Sequence, residues 1–276
     1  MTNCAPSAIP TALTIAGSDS GGGAGIQADL RSFAFHCVHG ASAVTCVTAQ
    51  NTLGVTRVDA LSPDSVSAQI EAVVSDLAVG ASKTGMLLNA SIIEAVVAQV
   101  DRLGQLVVDP VMVSRAGAQL IDDAAIAILK TQLIPRALIL TPNRYEAELL
   151  SGQAIVDLGT MKTAALEIAK LGPRFVLVKG GGMTGALRGV DVWWNGQGFE
   201  VLGTEQVETI HTHGTGCTLS AAIAANLALG KSPLAATVAA KDYVTQALKH
   251  GLAIGQGQGP VGHFYPLLPL PAAGDS

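Results

Sequence analysis

Short apolar runs rich in β-branched residues alternate with longer stretches of helical spacing along nearly the whole chain, the pattern left by strands joined through helical crossovers. The runs read as strands cover residues 13–16, 43–48, 55–60, 82–85, 106–108, 138–140 and 175–178. Several are apolar throughout, as strands covered on both faces are. Residues 191–195 and 199–202, on either side of Gly196-Gln197-Gly198, read as a hairpin that adds an antiparallel edge. Ser62-Pro63 and Ser232-Pro233 each place an N-cap before a proline at the first helical position. Asn143 followed by Glu146 forms a capping-box pattern just past Pro142, which bars the preceding strand from continuing, and that helix is expected to run to about residue 151. The class is α/β. No linker, repeat or low-complexity segment interrupts the pattern, so residues 1–276 read as one domain.

Composition narrows the function classes. At 276 residues and 49% hydrophobic the chain can bury a core without disulfides or a structural metal. Mean hydropathy is +0.43, yet no stretch reaches the roughly 18 apolar residues of a membrane span. With a formal charge of -5 and scattered Lys and Arg, it has no footprint for nucleic acid or an anionic membrane, and a small-molecule partner is expected. Residues 1–10 carry no signal-peptide pattern and read as a disordered N-terminal extension. Cys4, Cys37, Cys46 and Cys217 lack metal or redox spacing, which points to a reduced, cytoplasmic protein. Without a secretory signal, the glycosylation pattern Asn89-Ala90-Ser91 carries no meaning.

Two glycine-rich turns concentrate the interest. Gly17-Ser18-Asp19-Ser20-Gly21-Gly22-Gly23-Ala24-Gly25 joins the first strand to a helix, either as a backbone that must bend or approach a ligand closely, or as a flexible surface loop. Residues 23–28 fit a loose dinucleotide fingerprint, but the carboxylate such a site needs about twenty positions later is missing from Thr48-Ala49-Gln50-Asn51-Thr52. The second turn, His211-Thr212-His213-Gly214-Thr215-Gly216-Cys217, leads into an apolar helix over residues 218–229. It reads as an anion site at a helix N-terminus or as a glycine-rich cap on a buried helix. Leu229-Gly230-Lys231-Ser232 resembles the end of a P-loop, but Ala225 stands where its first glycine belongs.

Taken together, Ala16-Gly17-Ser18-Asp19, Gly23-Ala24-Gly25-Ile26-Gln27-Ala28-Asp29, Ala49-Gln50-Asn51-Thr52, Lys83-Thr84-Gly85-Met86-Leu87, Asp109-Pro110-Val111-Met112, Thr141-Pro142-Asn143, Val178-Lys179-Gly180-Gly181 and His213-Gly214-Thr215-Gly216-Cys217 resemble the ribokinase-like superfamily. They are most similar to its vitamin-kinase branch of pyridoxal and hydroxymethylpyrimidine kinases. Gln50 and Cys217 favour the pyrimidine enzymes of thiamine biosynthesis within that branch. The resemblance implies a three-layer α/β/α sandwich with a small β flap around residues 48–53, and a homodimer. It also implies two successive phosphoryl transfers from ATP, to 4-amino-5-hydroxymethyl-2-methylpyrimidine and then to its monophosphate. A pyridoxal kinase is the nearest alternative, and a non-catalytic binding protein on the same fold is a remoter one.

What the resemblance implies for single residues is chemically intelligible. Gly17, Asp29, Gln50, Met86 and Val111 would hold the pyrimidine; Gln50 both donates and accepts at an aminopyrimidine edge, and Met86 and Val111 offer apolar faces. Read without the family, Met86 and Val111 are core residues and Asp29 an exposed carboxylate at a helix start. Asp109 and Glu146 resemble carboxylates that hold Mg²⁺, Glu146 being equally a capping-box residue, while Asn143 and Lys179 resemble positions that meet ATP phosphates. Gly214, Thr215 and Gly216 would line the anion site, with Thr215 and Gly216 also touching the nucleotide. Cys217 would be the base for the attacking hydroxyl, a role a helix N-terminus can assist by lowering the thiol pKa, where sugar-kinase relatives carry Asp. The chain departs from the family pattern at Gly182, at Arg144-Tyr145 and at Gln258, none of which the resemblance assigns to chemistry.

Overall fold

The computed structural model describes residues 9–112 and 121–268, so the extension expected over residues 1–10 lies outside the described residues except for its last two. In chain order the elements are β1 (Thr11–Asp19), α1 (Gly25–Phe35), β2 (His39–Gln50), β3 (Val55–Ala60), α2 (Pro63–Val74), β4 (Val79–Thr84), α3 (Ala90–Val97), β5 (Gln105–Val108) and α4 (Asp123–Ile128). They continue with β6 (Ile139–Leu140), α5 (Arg144–Ser151), α6 (Leu158–Ala169), β7 (Phe175–Val178), β8 (Asp191–Trp194), β9 (Phe199–Leu202), α7 (Thr215–Ala228) and α8 (Pro233–Lys249).

The strands form one nine-stranded sheet in the order β3-β2-β1-β4-β5-β6-β7-β8-β9. Pairing is parallel from β2 across to β7, with β3 added antiparallel at one edge and the β8–β9 hairpin at the other. Every run read as a strand is present, and the late hairpin is antiparallel as expected. Side chains alternate between faces: Leu13 and Ile15 pack under α2, α3, α5 and α6, whereas Ala12 faces the layer of α1, α7 and α8. The same alternation recurs on β5, where Leu106 and Val108 join the first layer and Val107 the second, so the sheet is covered on both sides.

Local chemistry explains the helix boundaries. Ser62 accepts from the Ser65 N–H with Pro63 at the first helical position, and Asn143 and Glu146 complete the capping box of α5, which ends at the left-handed Gly152. Ser232 holds the cap position of α8, but its side chain makes no cap hydrogen bond. Asn89, noted only as a glycosylation pattern, caps α3 by accepting from Ile92 N–H. Helix α7 begins at Thr215, three residues before the expected start, and residues 218–227 are buried all round. Its alanines let α1 and α8 pack close on either side.

The chain runs from β1 outward to β2 and returns to β4 on the other side of β1, so the strand order reverses between β1 and β4. In open α/β sheets such a point leaves a crevice at the carboxyl ends of the strands. A register shift between Ala16 and Ser18 sets Thr45 and Cys46 of β2 against the single residue Gly17 of β1, a bulge in β2 just where the crevice opens.

Candidate active site

The strand ends bring both glycine turns together. Gly214, at φ +83, caps α7, and a methyl group there would collide with the Gly23 carbonyl oxygen, so only glycine lets the two turns touch. Asp19 organises the first turn: its carboxylate accepts from the N–H groups of Gly21, Gly23 and Ala24 and from His213 Nε2 at 2.9 Å. Burial pushes the Asp19 carboxyl up, but the His213 and Ala24 hydrogen bonds outweigh it and the net shift is downward. Asp19 and His213 thus join the turns, a role no motif assigns to either. The only signal in the sequence is two polar residues inside two glycine clusters.

At the first turn of α7 the N–H groups of Gly216 and Cys217 find no acceptor among the described residues, while the Thr218 N–H already bonds to Gly214. A methyl group on Gly216 would lie 3.6 Å from Lys179 Nζ and 3.8 Å from Asp109 Oδ2, which places this helix end against the ends of β5 and β7. Lys179 Nζ donates to Asp109 Oδ1 at 2.9 Å, and Ser220 Oγ to Asp109 Oδ2 at 3.2 Å. Burial works against the Asp109 charge, but Lys179 and Lys83 override it and keep the carboxyl below its usual range. Asn143 bridges to Lys179 through the backbone, with the Lys179 N–H donating to Pro142 O at 2.9 Å. Glu146 is buried, accepts from the Asn143 and Met112 N–H groups, and is pushed up to about 8 by burial, with Lys179 opposing and Asp109 adding to the rise.

On the other side of the crevice Gly17 faces Cys46 and Met86: a methyl group at Gly17 would approach Cys46 Sγ to 2.8 Å and Met86 Cε to 3.2 Å. Met86 and Val111 are half-buried rather than sealed in the core. Gln50, at the end of β2, accepts from Thr48 Oγ1 at 3.0 Å and places its amide nitrogen 3.4 Å from His213 Nε2. Residues 50–54 turn back into β3 and are pinned by Ser20 and by the Gly257 and Gln258 N–H groups on Thr52, which forms the small β projection expected around residues 48–53.

Two expectations are corrected by the geometry. Asp29 is neither exposed nor free: it is fully buried, takes Thr14 Oγ1 at 2.6 Å, and chelates Lys83 Nζ at 3.0 and 2.9 Å. Lys83, which the sequence pattern leaves without a role, is equally buried; burial works against its ammonium, but Asp29 holds it protonated. The second correction concerns Cys217. Its sulfur accepts from the Gly25 N–H, but burial dominates and pushes the thiol up, with Lys83 opposing only in part. Burial thus works against the thiolate that the helix terminus favours.

The geometry sets an amide-lined anion site, a lysine and two carboxylates opposite a half-apolar crevice. The sequence model of the phosphomethylpyrimidine kinase family matches residues 19–262. A hydroxymethylpyrimidine/phosphomethylpyrimidine kinase of Synechococcus elongatus is 65% identical, over 94% of this chain and 99% of that protein. Among solved structures, the ADP complex of Bacillus subtilis pyridoxal kinase superposes with a TM-score of 0.89 at 38% identity, covering 95% of this chain and all of that one (100%). The phosphomethylpyrimidine kinase of Clostridium difficile superposes with a TM-score of 0.77 at 43% identity, covering 87% of this chain and 99% of that one. On its own sequence and its own sheet, the chain belongs to the phosphomethylpyrimidine kinase family.

Proposed function

We propose that this enzyme transfers the terminal phosphoryl group of ATP to hydroxymethylpyrimidine and then to the resulting monophosphate, producing the diphosphate used in thiamine biosynthesis. The observation that carries the reading is the unpartnered N–H pair of Gly216 and Cys217 facing Lys179 and Asp109, beside the crevice at Gly17 and Met86. Phosphoryl transfer depends on positioning and on neutralising charge spread over the transferred group, and that arrangement supplies both.

In this reading Gly214, Thr215 and Gly216 shape the amide cradle for the transferred phosphate, and Lys179 and Asn143 meet the nucleotide. Gln50, Gly17, Met86 and Val111 hold the ring, Gln50 through its amide and the others through close backbone approach and apolar faces. Asp29 supports the site by fixing Lys83 rather than by reaching the ring, since all its close contacts are internal. Cys217 receives the proton of the hydroxymethyl group as the oxygen attacks. To act so, the thiol must first give its own proton to solvent; burial opposes that ionisation and the Lys83 charge favours it.

The donor set fits Mg²⁺. No group of three or more His, Cys, Asp and Glu side chains placed to hold a metal ion is found among the described residues, but this ion needs only one or two carboxylates besides substrate oxygens. Asp109 and Glu146 would hold it; when bound it supplies charge neutralisation at the phosphates. Glu146, which repulsion from Asp109 helps to keep protonated, is the kind of carboxyl a cation would ionise. No described helix is long and apolar enough to cross a membrane. We place the enzyme in the cytoplasm as a homodimer without nucleic-acid partners; exposed Val47, Leu53, Val55 and Val58 on the β2–β3 projection support a subunit contact there.

The test is ADP release with Mg-ATP and, separately, hydroxymethylpyrimidine, its monophosphate, pyridoxal and pyridoxine, with the phosphates on each product counted. Diphosphate formed from the pyrimidine is the expected result. Turnover of the pyridoxal compounds alone would leave the phosphate site standing and overturn the reading of Gln50 and Cys217.

A further inference from the structure

Arg144 occupies a position that folding alone does not favour. It is the first residue of α5, where the helix dipole repels a cation, and it follows Asn143, whose backbone bridges to Lys179. Among the described residues no carboxylate pairs with its guanidinium, which lies instead over the Tyr145 ring at 4.6 Å. Its Nε is buried and has no hydrogen-bond partner among the described residues. A buried N–H without an acceptor is normally selected against. Lys179 differs in having a carboxylate partner, Asp109, which takes one of its three donors.

The surroundings of Arg144 identify what is missing. A methyl group on Gly182 would lie 3.6 Å from Arg144 Cβ, so the loop after β7 passes the arginine with no side chain of its own at that point, and the adjacent Gly181 has room on its Cβ side. The backbone tie of the preceding residue to Lys179, the uncommitted donor and the glycine loop alongside all suit an anion with several oxygens. A planar guanidinium fits phosphate because it donates two parallel hydrogen bonds.

We propose that Arg144 is a further nucleotide-binding residue, gripping the phosphate chain of the nucleotide alongside Lys179. The proposal deepens the nucleotide half of the function given above and rests on it. It assigns work to a residue that the motif pattern leaves without any.

Calorimetric titration with ADP and with adenosine separates phosphate recognition from base recognition. In Arg144→Met the Kd for ADP should rise about 10- to 100-fold, the range lost with a charge-assisted hydrogen bond, while the Kd for adenosine stays the same. Arg144→Lys should recover part of the loss, because it restores the charge but not the fork. In steady-state assays the KM for ATP should rise and the KM for the pyrimidine should not. Thermal unfolding of Arg144→Met should be unchanged or shifted upward, since a cation at a helix start is removed. Unchanged ADP affinity, equal weakening of ADP and adenosine, or a lowered melting temperature would each overturn the proposal in favour of a packing role. If ADP binding depends on Arg144 but the pyrimidine is never phosphorylated, the substrate reading fails and this assignment stands. If the unmodified protein binds no ADP, both fall.

Discussion

Two lysine–carboxylate pairs lie behind the crevice, and they are built differently. Lys83 and Asp29 are both 0% exposed, meet through two contacts, and are closed off by Thr14. Lys179 and Asp109, at 12% and 4% exposed, share one contact and stand beside the open helix end at Gly216. The first pair has its valences satisfied inside the protein. The second keeps donor and acceptor capacity facing the crevice. Burial of charge thus takes two forms in one site: a sealed pair ties β1, α1 and β4 together, and an unsealed one stands at the crevice, where the proposed function needs it for phosphate and metal. A buried pair is weak evidence of stabilisation in itself, because desolvation offsets the attraction.

Single and double substitutions can break this contrast. Lys83→Met strands the Asp29 carboxylate in the core and should cost about 3–5 kcal/mol of stability, measured by denaturant unfolding. Asp29→Asn/Lys83→Met removes both charges and should recover most of that loss, with the KM for the pyrimidine little changed. A large rise in that KM would return Asp29 to the ring-binding set. Lys179→Met should behave in the opposite way: because Ser220 and Thr141 still face Asp109, less stability is lost, but turnover should fall about 10²- to 10³-fold, as when one preorganised electrostatic group is removed. Asp109→Asn/Lys179→Met should be stable and still inactive. If activity returned with the neutral double variant, the second pair would be structural as well.

The two phosphoryl transfers sharpen the comparison on the side of the nucleophile. The hydroxymethyl oxygen must lose a proton in the first transfer, whereas a phosphate monoester, with its second pKa at about 6, is already ionised at neutral pH. Cys217→Ala should therefore slow the first transfer by about 10²-fold or more, as expected for loss of a general base, and the second by less than about tenfold. Single-turnover assays started from the alcohol and from the monophosphate measure each step. Equal losses would make Cys217 a wall of the anion site rather than a base.

The contrast also explains what could be seen in the sequence. All nine strands, the capping box of α5 and the proline-started helices follow from local rules, because apolar runs and N-cap chemistry act over a few residues. The strand-end positions of Asp109, Lys179 and the second glycine turn were legible for the same reason. The fate of Asp29 was not: its exposure depends on Lys83, 54 positions away on another element. The tie between Asp19 and His213 spans 194 positions. The acidity of Cys217 turned on burial, which outweighs the helix-end effect that the local sequence does display. Arg144 was visible as an oddity, but only the packing around it shows an uncommitted donor.

Acid provides the mildest way to separate the open half of the site from the closed half. His263 lies under the first turn of α7, where its Nε2 is 2.8 Å from Thr218 Oγ1. That hydroxyl donates to Gly214 O, so the His263 Nε2–H must donate to it. Burial, aided by Arg31, lowers the His263 pKa from 6.5 to about 4 and keeps the ring neutral. A pKa depressed in the folded state contributes stability that is present above about 6.5 and is lost as pH falls toward about 4, because the unfolded chain takes up the proton first. The loss should be about 3 kcal/mol across that window, and His263→Gln, which keeps a donor for Thr218, should flatten the corresponding part of the stability-versus-pH curve. Hydrogen exchange near the middle of the window should then show the Gly214–Thr218 turn opening before β1 and β4, whose Lys83–Asp29 pair is closed to solvent. Simultaneous opening of both would mean that the phosphate cradle is as rigidly closed as the sealed pair beside it.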